Sequence, residues 1–162
     1  MDVISIPVFS ADSCADKNTF LAALKFVRKM NLVPKCKFEL SKSENHFDVY
    51  NVTHLTPPLL VPFIKRPSTY QVEIINSKLD NQIVITSTPL NADDIPFMRT
   101  NTVFTFDGDR MTVHCQIAAK LFRNKPIPKI VKGIFTDFAN KKAKKLRLIE
   151  QKTYLELKSM VF

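Results

Sequence analysis

Glycine is almost absent from this chain. Its two occurrences, Gly108 and Gly133, lie far apart, which excludes phosphate-cradling loops of the GxGxxG and GxxxxGKS kinds. Tryptophan is missing altogether, and the three cysteines Cys14, Cys36 and Cys115 are scattered, with no Cys-x-x-Cys or Cys/His spacing. They read as ordinary thiols in a reducing compartment, and exclude both a disulfide framework and a zinc site. No apolar run approaches the ~18 residues that a membrane-spanning helix needs. The N-terminus carries neither a charged-then-apolar signal pattern nor an Arg-rich transit helix, so no leader is expected. His46, His54 and His114 are singles without an Asp, Ser or Cys at a recognisable spacing, and Asp93, Asp94, Asp107 and Asp109 fall in turn-like stretches. No nucleophile, base and orienting group come together, so the chain reads as a non-enzymatic protein with no cofactor or metal.

What is present is ordinary globular material: 162 residues, 45% hydrophobic and 24% charged, enough for one domain with a real core. The net charge of +9 is unevenly placed. Residues 1–119 hold twelve basic and twelve acidic side chains, whereas residues 120–162 hold twelve basic and three acidic ones. That excess calls for an anionic partner (membrane phospholipid, nucleic acid or an acidic protein), or else it is a solvated face.

The basic quarter is also the most regular. After Pro126 and Pro128 no proline occurs, and Ile130, Val131, Ile134, Phe135, Phe138, Ala139, Ala143, Leu146 and Ile149 recur at helical steps. About thirty residues at roughly 1.5 Å each make a rod of about 45 Å. Its other face carries Lys129, Lys132, Lys141, Lys142, Lys144, Lys145, Arg147 and Lys152. Such a two-sided rod must lie on something apolar, which the rest of the chain has to supply.

From the beginning, Val3 to Phe9 is β-rich but interrupted by Pro7, which marks an edge strand. Asp16 or Asn18 caps a helix with Phe20, Leu21, Leu24, Val27 and Met30 on one face, ended by Asn31-Leu32-Val33-Pro34. The period then becomes two. Lys35 to Ser41 and His46 to Leu55 read as strands, as do Tyr70 to Leu79 and Gln82 to Thr88 across Asp80-Asn81. Thr102 to Phe106 and Met111 to Ala119 form a hairpin across Asp107-Gly108-Asp109. Between the second and third of these strands, Pro57 to Ile64 holds no charge and three prolines, which suits either a buried loop or an apolar lid touching a membrane. An antiparallel sheet with one apolar face and a long helix with one apolar stripe satisfy each other. The expected class is α+β, a helix-grip or START-like fold, with a curved sheet of about six or seven strands packed on the C-terminal helix. Folds of this kind hold small apolar or amphipathic ligands between sheet and helix.

Several strings carry a likeness to a known family: Phe26-Val27-Arg28-Lys29 at the end of the first helix, Pro58 to Phe63, Tyr70-Gln71-Val72-Glu73, and the Ser/Thr-rich strand-turn-strand from Ile83 to Phe106. In order of elements, length and these strings the chain resembles the PRELI/slowmo family of phospholipid-transfer proteins. It departs from that pattern in lacking the family's tryptophan in the apolar loop and one of the paired prolines after the Arg. The resemblance implies a cavity whose polar end holds Arg28, Lys141 and Lys144; the apolar loop, with Pro58, Leu59, Leu60, Val61 and Phe63, is the expected lid, and the basic excess of residues 120–162 is expected to dock on a membrane through Lys142, Lys145 and Arg147. The physical logic for Arg28 is independent: a phosphate in a low-dielectric pocket needs charge-assisted donors, and Arg supplies a fork of them. A cation favoured by the helix dipole at the end of the first helix is the plainer account. The implied ligand is an anionic phospholipid of the phosphatidic acid or phosphatidylserine class, extracted from a membrane surface and transferred. The implied setting is the mitochondrial intermembrane space, with a small helical partner carrying twin Cys-x9-Cys motifs; otherwise the cytoplasm is expected. A different class of function is a scaffold whose basic helix contacts an acidic protein or nucleic acid. Nucleic acid is disfavoured because no base-stacking aromatic lies among the lysines of Lys141 to Leu148.

Overall fold

The chain runs β1 (Asp2–Phe9), α1 (Lys17–Lys29), β2 (Cys36–Glu44), β3 (Phe47–His54), β4 (Ser68–Ser77), β5 (Gln82–Pro89), β6 (Phe97–Asp107), β7 (Arg110–Lys120) and α2 (Lys129–Met160). This computed structural model describes residues 2–9 (backbone), 15–54, 68–91, 97–120 and 125–160. The strands form one antiparallel sheet in the order β1-β7-β6-β5-β4-β3-β2. Strands β2 to β7 are a meander, and β1 returns beside β7, so α1 bridges the two edges of the sheet. Pro7 explains why β1 is an edge: the β1–β7 register shifts between Ile6 and Phe9, where a strand N–H is missing.

Turn chemistry sets the hairpins. Asn81 (φ 52°) and Gly108 (φ 60°) take left-handed conformations between β4 and β5 and between β6 and β7. Asn81 also donates through its side chain to the Phe106 carbonyl at 2.6 Å, tying the two hairpins together. At α1, Asp16 is the N-cap and accepts from the Thr19 amide at 3.0 Å. Asn31 (φ 53°) ends the helix, and its side chain accepts from the Phe38 amide at 2.7 Å, which aims the chain into β2.

The α+β helix-grip arrangement expected from the pattern is present. One helix, α2, runs alongside α1 and touches β1, and side chains fill its approach to the middle strands. The apolar interior falls into two clusters. The larger joins Phe20 and Leu24 of α1, Tyr50, Val72, Ile83, Phe104 and Val113 of the sheet, and Tyr154 near the end of α2. Phe20 is its hub, with ring centroids 5.1 Å from Phe104, 6.0 Å from Phe106 and 5.9 Å from Tyr154. The smaller joins Ile117 and Ala119 of β7 with Ile127 and Phe135, the latter near the start of α2.

The apolar stripe of α2 needs one correction. Phe135 is buried and Val131 and Ala139 pack beside it, but Ile130 and Ile134 are 79% and 54% exposed. A helix turns by about 100° per residue, which puts both isoleucines on the side opposite Ala143 and Glu150. Beyond Leu146 the inward side continues through Glu150, Thr153, Tyr154 and Leu157, of which Glu150 and Thr153 are polar residues that hydrophobic spacing does not announce.

The two helices are also joined by a polar knot. Tyr154 Oη donates to Asp16 Oδ1 at 3.0 Å, and Lys158 Nζ does so at 2.7 Å. Burial raises the pKa of Asp16, but the hydrogen bonds from Lys158, Thr19 and Tyr154 outweigh it and hold the carboxyl well below its ordinary value. A depressed carboxyl stabilises the fold above its unfolded pKa of about 4, and that contribution is lost as pH falls towards the folded value. Melting temperature is therefore expected to fall less between about pH 6 and pH 2 in Asp16→Asn than in the natural protein. Parallel loss in both would remove the knot from the stability of the fold. Separately, Phe135→Asp is expected to cost several kcal/mol, roughly 3 or more, whereas Ile134→Asp changes stability by about 0.5 kcal/mol or less. Urea unfolding of the two variants side by side makes that comparison.

Candidate functional site

Between the two apolar clusters lies a charged belt. On the sheet side it begins where β6 and β7 change from apolar to polar, at Thr102 and Cys115, paired across the strands and linked by a 3.5 Å contact from the Thr102 hydroxyl to the Cys115 sulfur. On the helix side it holds Arg147 and Glu150, and α1 contributes Arg28 from its last turn.

Arg28 is 3% exposed, and the hydrophobic face of α1 turns it inward: it lies one position past Val27 and one turn beyond Leu24. Its Nη1 donates to the Leu24 carbonyl at 3.1 Å and to Glu150 Oε2 at 2.9 Å. Glu150 is fully buried. Its other oxygen, Oε1, lies 2.6 Å from Arg147 Nε, an ion pair one helical turn long that is not aligned as a hydrogen bond. The Arg147 guanidinium sits over the Phe104 ring, 4.8 Å from its centroid, and the Arg28 guanidinium is 6.0 Å from the Phe38 ring. Burial pushes the Arg147 pKa down; Glu150 opposes this, and Arg28 adds to it by repulsion. Arg28 Nε, Arg147 Nε and Glu150 Oε1 are buried without a hydrogen-bond partner, as is Asn140 Oδ1, about two turns up α2 from Arg147. Nearby, burial raises the pKa of the Cys36 thiol against the pull of Lys142 and Arg28, and raises that of the Tyr50 phenol with help from Asp48. Asp48 itself is engaged by Ser43 at 2.7 Å and by Lys25 at 3.5 Å.

Of the residues expected at the polar end, Arg28 is inside but Lys141 and Lys144 are exposed. Nine residues at about 100° each carry Lys141 to the side of α2 opposite Glu150. The interior cation on that helix is Arg147, expected on the docking face and instead mostly buried, because it lies on the inward side and is held by Glu150. Lys142 and Lys145 are exposed as expected, with Lys142 Nζ 5.3 Å from the Phe138 ring centroid. The proposed lid, Pro58 to Phe63, lies outside the described residues. Glu150 was missed. Its signal was available: one of three acids among the basic residues of the last quarter, it lies three residues after an Arg and four after Leu146 on the apolar side. Among the described residues no cluster of three or more His, Cys, Asp or Glu side chains is placed to hold a metal, and no helix is long and apolar enough to cross a membrane.

No protein-family profile matches the chain, and no characterised protein matches it by sequence. Solved structures do. The Zhui aromatase/cyclase from a Streptomyces species superposes with a TM-score of 0.60 at 11% identity, over 99% of this chain and 97% of its own. Ara h 8.0201 gives 0.56 at 12% identity, over 98% and 99%. A STAR-related lipid transfer protein from Xanthomonas axonopodis gives 0.54 at 14% identity, over 93% and 82%. All are START/Bet v1-like proteins, and at these identities the likeness shows the helix-grip fold.

Glu150 separates two guanidinium groups that would otherwise repel each other in a low-dielectric interior. Glu150→Ala is therefore expected to cost about 3–5 kcal/mol or to prevent folding. Chemical denaturation measures it, and a loss below about 1 kcal/mol would mean that water screens the belt.

Proposed function

We propose that this protein binds and carries an amphipathic lipid, an anionic phospholipid of the phosphatidic acid or phosphatidylserine class, between its sheet and α2. The observation that carries the reading is the pair of buried guanidinium groups, Arg28 and Arg147, with a single carboxylate between them and apolar clusters on both sides. A head group meets the cations and the acyl chains extend among the apolar side chains. The resemblance to the PRELI/slowmo family supports the phospholipid, and a helix-grip neighbour named for lipid transfer supports a carrier.

The outward side of α2 supports exchange at a membrane. Lys141, Lys142, Lys144 and Lys145 are exposed there, with Ile130, Ile134 and Leu148 among the exposed apolar side chains of the same helix. Basic side chains near an anionic leaflet contribute about 1 kcal/mol each, and apolar ones gain by entering the interfacial layer. The mitochondrial intermembrane space and a twin Cys-x9-Cys partner follow from the family resemblance alone.

Replacing Lys141, Lys142, Lys144 and Lys145 with Gln is expected to weaken binding to phosphatidylserine-containing vesicles about 100- to 1,000-fold at low salt. Raising salt to roughly 0.5 M shortens the screening length and should weaken the natural protein in the same direction. Vesicle flotation reads docking, and transfer of a fluorescent phosphatidic acid between donor and acceptor vesicles reads carriage. Unchanged flotation of the variant places docking elsewhere; absence of transfer by the natural protein overturns the carrier role.

A further inference from the structure

The charges in the belt do not balance. Arg28 and Arg147 each bring a guanidinium cation, and among the described residues Glu150 is the one carboxylate in ion-pair contact with either. One positive charge is left over in an interior where an unpaired ion is strongly disfavoured. The contact with the Phe104 ring offsets part of this, and no described carboxylate supplies the rest.

The two arginines are not equivalent. Arg28 is closed off at 3% exposure, and one terminal nitrogen already serves both the Leu24 carbonyl and Glu150. Arg147 keeps 15% exposure and meets Glu150 only through Nε, without a hydrogen bond. Its guanidinium lies over the Phe104 ring, and its terminal N–H groups donate no hydrogen bond among the described residues. Resting on the lipid-carrier reading, we infer that Arg147 is the anion receptor of the site, and that the Arg28–Glu150–Arg147 cluster selects an amphiphile with one negative charge on an oxyanion: a carboxylate, a phosphodiester or a singly ionised phosphomonoester. Glu150 sets the count. With it in place one anionic charge brings the belt to neutrality, and a second is unbalanced. Asn140 Oδ1, buried and unpartnered on the same helix, is an acceptor for a hydroxyl or N–H of the same ligand.

The test uses the full chain stripped of lipid and no membrane, so it stands apart from vesicle transfer. Equilibrium dialysis with radiolabelled oleate, oleyl alcohol and oleoyl lysophosphatidylglycerol compares equal tails with one charge or none. The natural protein is expected to hold at least one of the two anions about tenfold or more tighter than the alcohol, and which one identifies the oxyanion. Arg147→Met leaves Arg28 and Glu150 as a balanced pair. Its ligand-free melting temperature should be equal or higher, and its preference for the anion over the alcohol should fall to near unity. Glu150→Gln removes the resident counter-ion, so its ligand-free protein should melt lower, recover on adding the anion, and keep or increase the preference. A merely structural Arg147 predicts the reverse for Arg147→Met: a lower melting temperature with the preference intact. That result overturns the assignment, as does a natural protein that binds all three ligands alike or none. If Arg147→Met does not fold, Arg147→Gln takes the same comparison, and the Glu150→Gln preference decides independently. Vesicle transfer that persists while the anion preference is absent overturns this inference and leaves the carrier function standing.

Discussion

The fold depends on bringing a carboxylate from the last helix to an arginine of the first, which runs alongside it. The pair Arg28–Glu150, 2.9 Å apart and almost fully dehydrated, spans 122 residues of sequence. Buried ion pairs are poor sources of net stability, since desolvation consumes most of the attraction, but they penalise every arrangement that leaves one partner alone. Here the penalty fixes where α2 sits along α1. A slide of one residue would carry Glu150 about 1.5 Å along the axis and 100° around it, leaving Arg28 buried and unpaired. Apolar contacts do not discriminate so sharply.

A second fastening, at the far end of α2, divides the labour. Asp16 with Tyr154 and Lys158 ties the C-terminal turns of α2 to the start of α1, and Phe20 stacks beneath them. Phe135 anchors the other end of α2 over β7 and Ile127. Both ends of α2 are thus seated on apolar clusters, and the stretch between them meets the sheet through Arg147 over Phe104. An amphiphile entering at this stretch displaces the fewest apolar contacts. The place where packing is interrupted and the place where charge is uncompensated are the same.

Much of the fold was legible because it rests on local rules. Turn residues Asn81 and Gly108, the cap Asp16, the edge-marking Pro7 and the change of period from helix to strand each act over a few residues, and each is found where the pattern put it. The long helix was legible as a helix but not in its orientation. Ile130 and Ile134 extend the apolar spacing, yet the phase of the helix puts them on the side away from Glu150, where they are exposed. The site was half legible. Arg28 is betrayed by the apolar residues around it, whereas Lys141 and Arg147 exchanged places because charge type says nothing about which side of a helix faces in. Only a partner decides that, and the partner is Glu150, a residue easily taken for one more surface acid.

This exchange bears on how a +9 protein handles its charge. Lys141, Lys142, Lys144 and Lys145 of α2 lie outside, where water screens them and their compact ammonium groups keep most of their hydration. The cations drawn inside are both arginines, whose planar, weakly hydrated guanidinium groups tolerate an aromatic face and a carboxylate edge at once. A lysine at position 28 or 147 would shed its proton in such a belt far more readily, and with it the attraction for an anion. On the proposed function, the same helix separates two uses of positive charge by chemistry as well as by side: diffuse, salt-sensitive attraction to a surface on the outside, and a fixed receptor for one anion within. Surface attraction weakens once the ionic atmosphere closes in, but the interior charge is shielded from that atmosphere and acts only on what has already entered.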